Sequence, residues 1–161
     1  MEKEYDKAYA YAMRLLGFRQ QSTAEMQQKL VRKGFSGSVV NDVMADLRAS
    51  GFLNDSRFAQ DLIRSIERRK PAGRAFVQAK FRDYGIADDV GEKALAEELP
   101  EEKEYELALE LARDKVAEFR VKLDKISTKQ KAKIMRYLSG RGFNAAIVRD
   151  VLDELEGRKR W

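Results

Sequence analysis

The sequence predicts an all-α chain of three tandem three-helix, helix-turn-helix-like repeats, forming an elongated, curved, solenoid-like array. Three observations carry that prediction. A short pattern occurs three times: Met26-x3-Leu30-x3-Gly34-Phe35, Val77-x3-Phe81-x3-Gly85-Ile86 and Ile134-x3-Leu138-x3-Gly142-Phe143. Apolar residues at i, i+4 and i+8 make one helical stripe, and a glycine after the stripe is a helix stop that enters the left-handed region without a Cβ clash. The period of roughly fifty residues suits stacked supersecondary units, and no convincing alternating run suggests a strand.

Each element follows from local signals. In the first repeat (1–51), Tyr5, Tyr9, Ala12, Met13 and Leu16 form a stripe that is expected to end at Gly17, and Ser22 is the expected N-cap of the second helix. Val39, Val43 and Met44 mark the third. The second repeat (52–99) opens at Asn54-Asp55 as a cap, with Phe58, Leu62 and Ile66 along one face; Lys70-Pro71-Ala72-Gly73 breaks the chain before the next helix, and Asp88-Asp89 caps the last. The third repeat (100–161) starts at Pro100 with Glu101, Glu102 and Glu104, acids suited to a helix N-terminus. That helix is expected to be the longest, to about Val121, with Ser127 capping its successor and a basic tail at the end. Short apolar junctions at Gly51-Phe52-Leu53 and Leu99-Pro100 favour units that lean on their neighbours, because some fifty residues bury only a modest core.

Composition removes whole classes of chemistry. The 161 residues include no Cys and no His, so there is no disulfide framework, zinc finger, thiol nucleophile or imidazole-based triad. No phosphate loop, nucleophile elbow, calcium loop or paired metal motif appears, so no catalytic residue, metal or cofactor is expected. No stretch is long and apolar enough to span a membrane, and a cytoplasmic location and a monomer are expected. Lys and Arg number 32 against 27 Asp and Glu, a net charge of +5.

Placement says more than the total. Between Leu62 and Arg82 lie seven basic residues with Glu67 the sole acid, and from Asp83 to Glu104 nine acids face two lysines. Arg68, Arg69, Lys70 and Arg74 sit at a helix end and the turn after it; dipole complementarity needs one or two cations there, so a binding role is favoured for the group, with Lys80 beyond it. In the third repeat Lys129, Lys133 and Arg136 fall at i, i+4 and i+7, opposite Ile134 and Leu138, and Arg141 precedes the glycine. Lys29 and Arg32 flank the second helix of repeat one. This spacing suits phosphate neutralisation rather than base reading, for which an Asn, Gln and Arg array near a helix start is missing. Solvated helix faces are the alternative for each cluster taken alone. The aromatics at helical spacing, Phe76 among them, read as core, as do Phe35 and Phe143. The terminal Arg158-Lys159-Arg160-Trp161 is either a contact element or a solubilising end.

At this point the residues resemble those of the RecX family. Gly51-Phe52-Leu53-Asn54-Asp55-Ser56-Arg57-Phe58-Ala59 looks like that family's G-[FLY]-[LI]-[DN]-D-x-R-[FY]-A segment. Arg19, Ser22, Glu25, Lys29-Leu30 and Lys33-Gly34-Phe35 look like its N-terminal motif. Lys70 to Ile86 is similar to the middle motif, with Gly and Pro reordered in Pro71-Ala72-Gly73-Arg74. Arg136-Tyr137-Leu138 and Arg141-Gly142-Phe143 are similar to the ending of the third repeat. The resemblance implies three tandem three-helix repeats and a regulator that binds the RecA recombinase and its filament on DNA, inhibits recombinase, strand-exchange and ATPase activity, and binds single- or double-stranded DNA weakly. Lys29, Arg32, Arg68, Arg69, Lys70, Arg74, Lys80, Lys129, Lys133, Arg136 and Arg141 are then the candidates for contact with RecA or DNA. A helix-turn-helix protein acting directly on nucleic acid is the alternative.

Overall fold

A computed structural model describes residues 2–158. The described residues form nine α-helices and one short 3-10 turn, with no strand. They are α1 (Glu2–Phe18), α2 (Thr23–Lys33), α3 (Gly37–Ala49), α4 (Asp55–Arg69), α5 (Arg74–Asp83), α6 (Asp88–Glu98), α7 (Glu101–Phe119), α8 (Thr128–Gly140) and α9 (Ala145–Leu155), with the 3-10 turn at Leu123–Lys125. They follow one another as three helix triplets, an array of the expected class. α7 is the longest, at 19 residues. One expectation fails: α1 runs through Gly17 to Phe18. The helix instead gives way where the Gln21 amide takes up the carbonyls of Leu15 and Arg19.

The three glycine turns share one geometry. Gly34, Gly85 and Gly142 have φ of 99°, 69° and 86°. The N–H of the next residue donates to the carbonyl five back in each case: Phe35 to Leu30, Ile86 to Phe81 and Phe143 to Leu138. The glycine N–H donates to the carbonyl three back. These are Schellman caps, and the left-handed φ is what selects glycine. Ser22 and Ser127 cap α2 and α8 with reciprocal boxes to Glu25 and Gln130, worth about 1 kcal/mol each.

Packing divides the chain into two compact units, residues 1–61 with 81–93 and residues 62–80 with 94–161. The core of the first is Ala8, Ala12, Met26, Leu30, Val39, Val40, Val43, Met44, Leu47 and Leu53, closed by α1, α2 and α3. The core of the second is built on α7, α8 and α9, around Ala108, Ala112, Val116, Ile134, Leu138, Phe143, Ile147 and Val151. Removing a fully buried side chain such as Met26 or Leu138 would cost about 2–5 kcal/mol.

Each unit contains the same kind of joint, in which a glycine turn receives the start of a helix from the preceding triplet. In the first unit the turn Tyr84-Gly85 receives α2. The Ser22 hydroxyl donates to the Tyr84 carbonyl at 2.6 Å, and Asp55 Oδ1 accepts from the Thr23 N–H at 2.8 Å. The Tyr84 ring meets Phe58 edge-on and lies under the Arg19 guanidinium. In the second unit the turn Arg141-Gly142 receives α5. The Gly73 N–H donates to the Arg141 carbonyl at 2.8 Å and the Ala75 N–H to the Gly142 carbonyl at 3.2 Å. Glu104 Oε1 accepts from the Arg74 N–H at 2.9 Å. Asp55 and Glu104 hold one register: each stands four residues before a buried alanine, Ala59 or Ala108, and each satisfies the first orphan N–H of the received helix.

Candidate functional site

The second unit gathers most of the sequence-predicted cations. Arg68, Arg69 and Lys70 are exposed at the end of α4. The Lys70 ammonium lies 5.3 Å from the Tyr137 ring centroid, and Lys115 covers the same ring at 4.5 Å. Lys80 and Arg141 converge likewise on Phe76, at 5.7 and 4.6 Å. Lys133 precedes Tyr137 by one helical turn and Lys129 precedes Lys133 by another, so one stripe of α8 leads into the Tyr137 cluster. Lys129, Lys133 and Arg136 are all exposed. The result is a cationic surface on which ammonium and guanidinium groups lie over the faces of two aromatic rings, whose quadrupoles attract them.

Three candidates prove to be committed to the fold. The Arg141 guanidinium donates to the carbonyls of Lys70 (2.6 Å) and Pro71 (3.1 Å), satisfying carbonyls left orphaned after α4. Arg74 is half-buried, and its Nε donates to the Leu99 carbonyl at 3.2 Å. In the first unit Lys29 donates to the Gln21 side chain at 2.7 Å, whereas Arg32 is exposed on α2. Arg57, within the most specific motif, donates to the Gly51 carbonyl and secures that junction. The Tyr137 and Phe76 platforms, and Lys115 with its ion pair to Glu118, were missed by sequence reasoning. Tyr137 and Lys115 lie on helices whose apolar stripes pass beside them, and the signal was the isolated aromatic next to Arg136. Of the basic tail, Arg158 pairs with Glu156 and Asp153; residues 159–161 lie outside the described residues.

Two carboxylates in the joints have displaced acidities of opposite sign. Burial pushes Glu104 above the ordinary carboxylate range, with the Arg74 N–H and charge working against it. Burial acts upward on Glu25 also, but the Arg19 fork at 2.6 and 3.2 Å, the Ser22 N–H and Lys29 hold it below that range. Among the described residues no group of His, Cys, Asp or Glu could hold a metal ion, and no helix is long and apolar enough to cross a membrane.

Comparison with known proteins places this architecture. Models of the first and third three-helix domains of RecX match residues 8–47 and 101–152. A "Regulatory protein RecX" from Pelodictyon phaeoclathratiforme is 33% identical over 145 residues, covering 90% of this chain and 86% of its own. This chain belongs to the RecX family. A second RecX regulatory protein, from Prosthecochloris aestuarii, is 32% identical and covers 92% of this chain and 93% of its own. The crystal structure of RecX from Lactobacillus salivarius superposes with a TM-score of 0.86 at 19% identity, covering 97% of this chain and 99% of that one, and so shares the fold. Membership of RecX carries a regulatory role. It also places the joints and the cationic surface in a chain of a family named for regulation, not for catalysis.

Proposed function

We propose that this chain binds the RecA recombinase and its filament on DNA, lowering recombinase, strand-exchange and ATPase activity, with weak DNA affinity of its own. The carrying observation is the cationic surface of the second unit, where exposed Lys70 and Lys80 lie over aromatic rings and Lys129, Lys133 and Arg136 extend the charge along α8. A nucleoprotein filament offers acidic protein and phosphate together, and distributed cations without a base-reading array suit such a target. Arg68, Arg69, Lys70, Lys80, Lys129, Lys133 and Arg136 make the contact and Arg74 and Arg141 hold that surface in place, while in the first unit Arg32 is the exposed candidate and Lys29 is tied to Gln21. The three repeats, 1–51, 52–99 and 100–161, act together, in the cytoplasm and without catalysis.

The test is a RecA-dependent ATPase assay on single-stranded DNA. The protein at moderate excess over filament sites should suppress turnover, and joint reversal of Arg68, Lys70 and Lys133 to Glu should weaken suppression at least tenfold. No suppression would sink the reading. Tight binding to naked DNA without RecA, with a steep salt dependence, would favour a direct DNA-binding protein instead.

A further inference from the structure

The glycine turn of the first triplet presents the same docking surface that the other two turns fill. Gly85 seats α2 so closely that a Cβ on it would lie 2.5 Å from that of Ala24, and a Cβ on Gly142 would strike the backbone of Phe76. The residues after these glycines, Ile86 and Phe143, are 6% and 3% exposed. At Gly34, by contrast, no described atom lies within 4 Å of the equivalent position, and Phe35 is half-buried. The acid of the joint is present too. Glu4 stands four residues before buried Ala8, in the register of Asp55 and Glu104, and its Oε1 accepts from the Ser36 N–H at 2.7 Å.

Beside this turn lies a cleft of about 550 Å³ lined by Lys7, Ala10, Tyr11, Arg14, Lys33 and Phe35. Arg14 and Lys33 lie 5.3 and 5.5 Å from the Tyr11 ring centroid. With two cations already on the ring, the cleft favours a carboxylate over a stacked base. We infer that the Gly34 turn and its cleft seat the first turn of an acidic helix from a protein partner. Its leading N–H groups meet Glu4 as those of α2 and α5 meet Asp55 and Glu104, its second residue is small, and its acidic side chains pair with Lys7, Arg14 and Lys33. First-turn acids also suit the positive end of the helix dipole, so one sequence satisfies both demands.

The inference rests on the proposed RecA reading, so RecA is the probe. Fluorescently labelled protein is titrated with RecA filament on single-stranded DNA, and separately with the same oligonucleotide alone. The combined variant Lys7→Glu, Arg14→Glu, Lys33→Glu should lose at least tenfold in filament affinity, keep oligonucleotide affinity within twofold, and unfold at the unchanged midpoint. Ala10→Arg adds positive charge but fills the cleft, and should also weaken filament binding. Stronger binding by Ala10→Arg would mean diffuse attraction to anions and overturn the seat. Equal loss on filament and oligonucleotide would assign the cleft to nucleic acid and overturn it as well. Unchanged filament binding by both variants would do the same while leaving the RecA reading standing; failure of the unmodified protein to bind filament would remove both.

Discussion

The two joints solve one problem with different atoms. Where α2 is received, the link is made by a side chain: the Ser22 oxygen caps its own helix and its hydroxyl donates a hydrogen bond to the Tyr84 carbonyl. Where α5 is received, the equivalent residue is Gly73, and the backbone itself makes the link to the carbonyl of Arg141. Tyr84 and Arg141 occupy the same place, immediately before the glycine. A side-chain link leaves Ser22 and Tyr84 a hydroxyl apart, and the close approach in that joint falls instead on Gly85 against Ala24. A backbone link demands contact that only a residue without a Cβ permits.

The sharpest way to break this comparison is to give Gly73 a methyl group. Its Cβ would overlap the Gly142 carbonyl and the Phe143 nitrogen, both backbone, so neither can swing aside. Gly73→Ala should therefore cost about 2–3 kcal/mol, read as a lowered urea midpoint with unchanged slope. Ser22→Ala removes the matching link in the first unit together with an N-cap. About 1–2 kcal/mol is expected from the same measurement, less than at Gly73 because no atoms are forced together. If Ser22→Ala proves the more damaging, side-chain capping rather than close approach dominates the joints.

Smaller effects separate the joints by pH. Glu25 is held below its unfolded pKa, so the stabilisation from its clasp with Arg19 is present above that value, near 4.3, and is lost as pH falls through the folded one. Arg19 is about half exposed, so Arg19→Gln should cost only about 0.5 kcal/mol at pH 7 and less at pH 3. Glu104 runs the other way. Its folded pKa is raised, so its ionisation opposes folding as pH rises past the unfolded value. Glu104→Gln keeps an oxygen for the Arg74 N–H and should raise the urea midpoint slightly at pH 7, with the difference closing near pH 4. A Glu104→Gln protein that is weaker at pH 7 would show that the carboxylate charge, not merely its oxygen, holds α5.

Much of the fold is legible in the sequence because Schellman turns and serine caps are local: five or six consecutive residues contain the whole interaction. Gly34, Gly85, Gly142, Ser22 and Ser127 were readable for that reason. The joints are not local. Asn54-Asp55 reads as a cap, and Asn54 does that work, accepting from the Arg57 N–H, but nothing local shows that Asp55 reaches back to Thr23. The common register of Glu4, Asp55 and Glu104 emerges only once the buried alanines four residues later are known. The candidate site was half legible. Exposed cations at helical spacing are visible in sequence, but whether a guanidinium is spent on carbonyls, as in Arg141, depends on a turn seventy residues away.

The received helices carry alanine at their second position, Ala24 in α2 and Ala75 in α5, whereas α8 carries Lys129. At the Gly85 turn that small residue is the point of contact, which favours the native order of the first two triplets. A chimaera placing the first triplet after the third would bring the Gly34 turn towards a helix with a long charged side chain at its second position, where the native Gly85 turn meets the Ala24 methyl group. Anyone building longer arrays from these modules would begin with Lys129→Ala.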